Sequence, residues 1–504
     1  MSNTKDAYSA LLNSYTPEQL HTLAHIKRFM ERLVTDPKFR EGLAENMHDL
    51  IGYAENYGIE VDPNLMLPLF SRDHRQYRHT VEEAQWPLSK MWTEYIDGML
   101  EHRVELRDHG GTAQVNPGFH QWRERQIARG MSELGVSGPN ITHPIVAYEL
   151  SDGCSVGCWF CGISAEKYAG YQPYTEGVAA LWRDMLGTMV DRFGEAAQTG
   201  FCYWATDPMD NPDYDKFIED HYHVTGFLPQ TTTAAPLKNV DLTRRVMALF
   251  DKYRCVTNRF SIVNLKIFNK VHEEFTADEL MGVELVSQNH EAIMSKASAG
   301  RARERKQKLR AAGKDDKISI GDDDHATIAC VSGFLVNLPL RTVRMVSPTR
   351  GGDRWPLGYR VYDERKFETG EDFARIIDEL IERHCGNELR HDDIVAFRPD
   401  LEYVAHEDGF VLKNNTMVHT FRGPDYAVHL GRLIAEGNLP AGQIQAELIA
   451  AGGDVFVICE VLQNLFNQGL FDDDPKYGGI GPRPQMLAVK PEMPKIEDAA
   501  TGHA

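Results

Sequence analysis

The sequence predicts an α/β fold of parallel strands joined by crossover helices, preceded by a helical region and followed by a small module of strands and helices. Two patterns carry this. Between about residues 141 and 385, apolar runs of strand length alternate with stretches of helical periodicity, the order that parallel strands with crossover helices produce. From Ile394 the pattern changes to short alternating runs separated by Asp-Gly and Asn-Asn turns, and then to three helical stretches. With 504 residues and 42% hydrophobic content, the chain has material for a large core and a prior of roughly three domains.

Residues 1–140 are expected to be mostly helical. Apolar side chains recur at Leu20, Leu23, Ile26, Phe29 and Leu33, behind a cap and first-turn proline at Thr16 and Pro17. The stretches 36–46 and 57–63 resemble in part the Nif11-like helical leaders that precede the core of many ribosomally made peptide products. As a physical role, a helical cap over the following domain is favoured. Trp86, Trp92, Tyr95 and Trp122 are expected to pack on that domain. The first residues have neither a basic start nor an apolar segment, and no stretch approaches the roughly 18 apolar residues of a membrane helix, so a cytoplasmic protein is expected.

In the central region, residues 141–385, strand candidates are 145–150, 200–204, 226–231, 253–263 and 282–286, then the pair 326–338 and 341–346. Helical candidates are 178–193, 213–222, 240–253 and 276–280. Directly after the first strand candidate come Cys154, Cys158 and Cys161, a C-x3-C-x2-C spacing on a strand-to-helix loop. Such spacing lets three thiolates converge on one metal centre and leaves one coordination position open to something that is not protein. A structural zinc site takes four closed ligands, and no nearby Cys or His pair supplies the fourth. An odd-numbered triple in a long chain with few other cysteines also argues against a disulfide framework.

Composition narrows the class further. The other cysteines, Cys202, Cys255, Cys330, Cys385 and Cys459, are scattered, as in a reducing compartment, and too few are grouped to hold a second cluster. A net charge of −20 argues against broad nucleic-acid binding. Against that acidity, residues 296–317 form a basic run with Arg301, Arg303, Arg305, Lys306, Lys308 and Arg310, read as a solvated helix face or a contact for an acidic leader peptide. The Pro/Gly-rich loop 347–359 carries Arg350, Arg354, Trp355 and Tyr359, candidate substrate-binding residues.

In the C-terminal module, residues 386–474, helices are expected at 426–436, 441–451 and 455–468. Strands followed by three helices resemble a winged helix, and the order resembles the PqqD-like elements that recognise leader peptides. The segment is not basic enough for a DNA-binding wing. Residues 475–504, rich in Pro, Gly and charge, read as an irregular tail.

The cysteine loop, with the aromatic Phe160 just before its third cysteine, resembles the signature of radical S-adenosylmethionine (SAM) enzymes. That resemblance implies that the α/β core is a partial (β/α)6 barrel with its site at the C-terminal ends of the strands. It implies that Cys154, Cys158 and Cys161 hold a [4Fe-4S] cluster whose remaining iron is chelated by SAM. Reduction, by a donor such as flavodoxin or ferredoxin, then cleaves SAM to a 5'-deoxyadenosyl radical. Thr206 and Asp207 stand by position where the family holds the SAM amino group; the Asp-Pro-Asn composition there also makes a turn. Gln230, ending the third strand candidate, and Ser261 and Asn264, ending the fourth, offer groups to the SAM ribose and carboxylate, or are strand-end caps.

Together with the leader-like N-terminus, the strand around Cys330 and the 347–359 loop, this resembles one subgroup, the proteusin-type epimerases that convert L-residues to D-residues in ribosomally made precursor peptides. There the adenosyl radical takes an α-hydrogen and a cysteine thiol returns one to the opposite face. Cys330 is the candidate donor here. Relatives in that subgroup place a cysteine in the loop where this chain has Thr349. Radical crosslinking or cleavage of a peptide, a radical SAM enzyme with a small-molecule substrate, and a cluster-bearing peptide scaffold stand as alternatives. The expected partners are a precursor peptide with its leader and the electron donor, with no nucleic acid and no membrane.

Overall fold

The structure, a computed structural model, describes residues 4–108, 116–255, 258–289, 291–292, 298–314, 327–414, 416–423 and 426–474. Six helices open the chain: α1 (Thr4–Asn13), α2 (Pro17–Thr35), α3 (Pro37–Glu45), α4 (Leu50–Glu55), α5 (Pro87–Asp108) and α6 (Pro117–Glu133). Helix α2 starts where it does because Thr16 and Gln19 cap each other's backbone amides and Pro17 is already set for the first turn. Its apolar stripe, Leu23, Ile26 and Phe29, closes on Phe39, Leu43, Leu50, Trp92 and Tyr95 to make a core of its own. Trp92 and Tyr95 therefore pack within the N-terminal region and not on the next domain. Trp86 likewise stacks on Tyr77 at 5.3 Å, whereas Trp122 of α6 does enter the central core, edge-on to Tyr362 at 5.5 Å.

The central region holds β1 (Val146–Glu149), β2 (Ser151–Asp152), β3 (Gly170–Tyr171), α7 (Glu176–Phe193), α8 (Tyr214–Thr225), β4 (Thr231–Thr233), α9 (Val240–Lys252), β5 (Asn258–Ile262), α10 (Leu265–Glu274), β6 (Val283–Ser287), α11 (Gly300–Ala311), β7 (Gly333–Asn337), β8 (Thr342–Pro348), β9 (Tyr359–Lys366) and α12 (Gly370–His384). Strands β4, β5 and β6 pair in parallel, as do β1 and β7. Phe201 joins the two sets, pairing in parallel with Ala147 of β1 and with Gln230 just before β4. On the other side the sheet turns antiparallel through β7, β8 and β9. Alternation along the strands separates two faces. Val146, Tyr148, Phe334 and Val336 bury against α7 and α12, while Ala147, Phe201, Leu335, Val346 and Tyr359 cluster on the opposite face with Trp204.

Helix α2 lies beside β6 and the turns before it. Arg28 donates to the Phe275 carbonyl at 2.6 Å, the His21 ring contacts Asp278 at 2.9 Å, and Asn289 donates to the Thr35 carbonyl at 3.1 Å. These contacts place the N-terminal helices as a flank on the parallel strands.

Several expectations shift. The second strand candidate, 200–204, is reduced to the single pairing residue Phe201. Residues 226–229 are not strand, because Gly226 closes α8 in the left-handed region at φ 83°, and β4 begins only at Thr231. Residues 276–280 form turns, and the helix of that region is α10, capped by Asn264. The strand expected over 326–338 starts at Gly333, where any side chain would strike the Ile145 carbonyl; Cys330 lies in the irregular stretch before it. Strand β9 and helix α12 lie outside the expected elements altogether.

The C-terminal module comprises β10 (Ile394–Val395), β11 (Glu402–His406), β12 (Gly409–Lys413), β13 (Val418–Arg422), α13 (Ala427–Glu436), β14 (Leu439–Pro440), α14 (Ala441–Ala450) and α15 (Val455–Asn467). Strands β11, β12 and β13 form an antiparallel meander, and the helices cover it through Leu430, Ile434, Ile444 and Leu462. The expected tail at 475–504 lies outside the described residues. Among the described residues, no helix is long and apolar enough to cross a membrane.

A buried ionic network ties these parts together. Glu133, at the end of α6, accepts from Arg360 of β9 at 2.7 Å and from Arg129 at 3.2 Å, with Arg398 of the C-terminal module 3.7 Å away. Asp474 meets the same Arg360, and Arg129 at 2.8 Å. Burial alone would raise the Glu133 carboxyl, but the three guanidinium groups hold it down at about 2.

Candidate active site

The three cysteines lie on a loop that leaves the C-terminal end of β1 and returns to it, since β2 and β3 pair antiparallel at its base. Inside that base, the Cys154 amide donates to the Glu166 carbonyl at 2.9 Å and Tyr168 donates back to Cys154 at 3.3 Å. Gly153 is required at the corner: its φ is 72°, and a Cβ would lie 2.5 Å from the Lys167 carbonyl oxygen. A tight turn follows, with Cys161 donating to the Cys158 carbonyl at 3.3 Å and the Ala165 amide directed at the Cys161 sulfur at 3.4 Å. Asp210, buried, holds the outer corner: it accepts from the Ser155 amide at 2.9 Å and pairs with Lys238. Asn211 binds both legs, donating to Leu150 at 3.1 Å and Gln172 at 2.9 Å.

Electrostatically the thiols form one group. Burial pushes Cys154 up to about 11 and Cys158 up to about 12, and Cys154 and Cys161 add to the rise at Cys158, while Arg301 opposes it. A metal that takes them as thiolates must displace these protons, so its own charge has to supply the stabilisation. Among the described residues, the group of Cys, His and carboxylate ligand atoms gathered within 4.8 Å is His21, His25 and Asp278, not the three cysteines. Three thiols on one loop with an amide aimed at one of them suit a sulfide cluster, whose properties depend on such hydrogen bonds.

Around this loop stand groups from other strand ends. Glu149, the last residue of β1, accepts from the Ala205 amide at 2.9 Å and from Asn337 at 2.8 Å, and burial raises its carboxyl. Helix α11 packs on the loop from outside: Arg301 donates to the Ala165 carbonyl at 3.0 Å, and the Arg305 guanidinium lies 4.2 Å from the Trp159 ring centre. Cys330 packs in the cluster of Ala147, Phe201, Trp204 and Tyr359, which Cys161 and Tyr203 also touch. Burial pushes the Cys330 thiol up to about 12, against the pull of nearby Arg259.

The remaining expected residues divide. Phe160 is edge-on to Trp159 at 5.4 Å within the cysteine loop. Thr206 is buried, and the Asp207 carboxylate accepts from Thr233 at 2.7 Å, Ala234 at 2.8 Å and Met209 at 2.9 Å, a cap that joins the turn at 208–210 to the end of β4. Burial nonetheless pushes Asp207 up to about 6. Gln230 lies just before β4 and not at its end, with its side-chain amide against the Tyr203 hydroxyl and the Arg259 guanidinium. Ser261 is half-buried in β5, and Asn264 caps α10 by accepting from Ile267 at 2.9 Å. In the 347–359 loop, Arg350 is exposed, Tyr359 is buried edge-on to Trp204 at 5.5 Å, and Trp355 and Arg354 reach Asp474 at 3.0 and 3.3 Å. Thr349 is buried and donates to Glu133 at 3.3 Å.

Sequence reasoning missed Glu149, Asp210, Lys238 and Arg259. Only Asp210 had a signal, in the run Asp207 to Asn211, because the others depend on chain crossings that spacing does not reveal.

A solved structure, described as BtrN in complex with AdoMet and 2-DOIA, is similar at 12% identity and a TM-score of 0.25, over 40% of this chain and 72% of BtrN. Residues 395–469 match the family model described as the y4wI C-terminal domain, which coincides with the module of β10 to α15. The uncharacterized protein y4wI of Sinorhizobium fredii (strain NBRC 101917 / NGR234) is 49% identical over 465 residues, 92% of this chain and 90% of that protein. An identity of that size over nearly the full length of both proteins makes this chain a member of the y4wI family.

Proposed function

We propose that this protein is a radical SAM enzyme that acts on residues of a ribosomally made precursor peptide, converting L-residues to D-residues. The observation that carries this reading is the cysteine loop: three thiols that act as one electrostatic group on a closed loop at the C-terminal end of a parallel strand, with the Ala165 amide aimed at the Cys161 sulfur. A [4Fe-4S] cluster and SAM bound there would supply a 5'-deoxyadenosyl radical. Cys154, Cys158 and Cys161 are the proposed cluster ligands, with Phe160 beside them. Thr206, Asp207, Ser261 and Asn264 border the proposed SAM side, and Gln230 holds Tyr203 and Arg259 in place below it. The strand ends fit the partial (β/α)6 barrel, completed in this proposal by Phe201 as its second strand.

Cys330 has the properties of a hydrogen donor. A thiol returns a hydrogen atom only as S–H, and burial keeps Cys330 protonated throughout the neutral and mildly alkaline range. Loss of the α-hydrogen from the peptide and its return from the Cys330 sulfur leave a thiyl radical. One electron from the flavodoxin- or ferredoxin-type donor and one proton then restore the thiol. The C-terminal module, a PqqD-like element in this reading, offers the exposed edges of β11 and β13 to an extended leader. Arg350, Arg354, Trp355 and Tyr359 border the proposed substrate side.

One observation favours a second reading. Thr349, in the loop where the epimerases resembled by the sequence carry a cysteine, is buried and engaged with Glu133, so that position provides no thiol. Crosslinking of the same peptide radical is the alternative. Anaerobic incubation of reconstituted, reduced protein with SAM and a candidate precursor in deuterium oxide separates the two. A gain of one mass unit per modified residue with formation of 5'-deoxyadenosine supports epimerisation; a loss of two units overturns it in favour of crosslinking.

A further inference from the structure

Helix α11 has six Lys or Arg residues against one acid, Glu304, in a chain whose net charge is −20. Its first turn is seated on the cysteine loop: the Gly300 backbone, at φ 53°, approaches Gly162 so closely that a Cβ would lie 2.4 Å from its carbonyl oxygen. Arg301 and Arg305 then hold the loop at Ala165 and Trp159. Arg303 pairs with Asp353 at 2.8 Å, while Lys308 and Arg310 are exposed further along, and Lys167 is exposed on the loop itself. Beside Cys158 the loop is open: a Cβ on Gly157 would meet nothing within 4 Å.

From these observations we infer that α11 and the adjacent cysteine loop form the docking face for an acidic one-electron donor protein. The inference rests on the radical SAM reading. Charge complementarity selects the partner, since a basic face on an acidic protein concentrates an acidic partner there and repels it elsewhere. Position favours an electron donor over an acidic leader peptide, because the basic helix is seated on the cysteine backbone where that backbone reaches the surface. The donor would give one electron to the cluster that Cys154, Cys158 and Cys161 would hold, and the donor itself would be oxidised by one electron, with no bond made between the proteins.

The test is anaerobic stopped-flow reduction of the reconstituted protein by reduced flavodoxin at several ionic strengths, for the wild type and for K308E/R310E, with dithionite as a second reductant. The expected result is a loss on the order of tenfold in the flavodoxin rate at low salt, a flatter salt dependence, and unchanged 5'-deoxyadenosine formation with dithionite. An unchanged flavodoxin rate overturns the inference. If precursor affinity falls in its place, the face binds leader peptide. Absence of 5'-deoxyadenosine from the wild type with dithionite is a different failure, that of the radical SAM reading itself.

Discussion

Replacing Glu133 by Gln removes the anion at the junction of α6, β9 and the C-terminal module while keeping its shape. Its carboxyl is held at about 2, well below the usual 4.5, although it is buried. That depression corresponds to about 3 kcal/mol favouring the charged form in the fold. Removing one partner of a buried ion pair costs a similar amount, roughly 3–5 kcal/mol, because the remaining charges stay buried. Here Arg360, Arg129 and Arg398 would keep Asp474 and Asp400 as partners, so the lower figure is expected. The sign with pH follows from the depressed value: the contribution is present above about pH 4.5 and is lost as pH falls towards 2. Native-state hydrogen exchange across Pro117–Glu133 and Tyr359–Lys366 reads it directly. At pH 7, E133Q should lower the opening free energy of both segments by about 3 kcal/mol. A change under about 0.5 kcal/mol, the range of an ordinary surface substitution, would refute the reasoning.

Three further outcomes follow. Gly153→Ala forces a side chain onto a left-handed backbone 2.5 Å from the Lys167 carbonyl, so iron and sulfide content after reconstitution should fall well below wild type; full occupancy contradicts the proposed role of that corner. Cys330→Ala should keep SAM cleavage while D-residue formation, read by chiral amino acid analysis, is lost; persistent D-product removes Cys330 from the donor role. Because burial pushes the Cys330 thiol up to about 12, hydrogen return should show no decline between pH 7 and 9 that follows an ordinary thiol titration, and deuterium incorporation against pH checks this.

The cysteine loop was legible because it is local, its three cysteines lying within a few residues of one another, and the helix capped by Thr16 was legible because that signal is local too. Strand β9 was not, since its outer half, Asp363 to Lys366, alternates little and reads as a polar turn until β8 pairs with it. Helix α10 was missed for a related reason. Its capping Asn264 closes a strand-like apolar run as readily as it starts a helix, so the stripe of Leu265, Ile267, Phe268 and Val271 behind it went unread. Gln230 was assigned to the wrong end of its strand because the four residues before it are as apolar as a strand, yet Gly226 spends them closing α8. The Glu133 network joins residues 227 positions apart, and no pattern along the chain announces it.

The most direct test of the central claim is 5'-deoxyadenosine formation by anaerobically reconstituted protein given SAM and dithionite, compared with Cys158→Ala. The account predicts a cluster absorbance and 5'-deoxyadenosine for the wild type, and neither for the variant. Product from the variant at the wild-type level, or its absence from a wild type loaded with four irons, would contradict it.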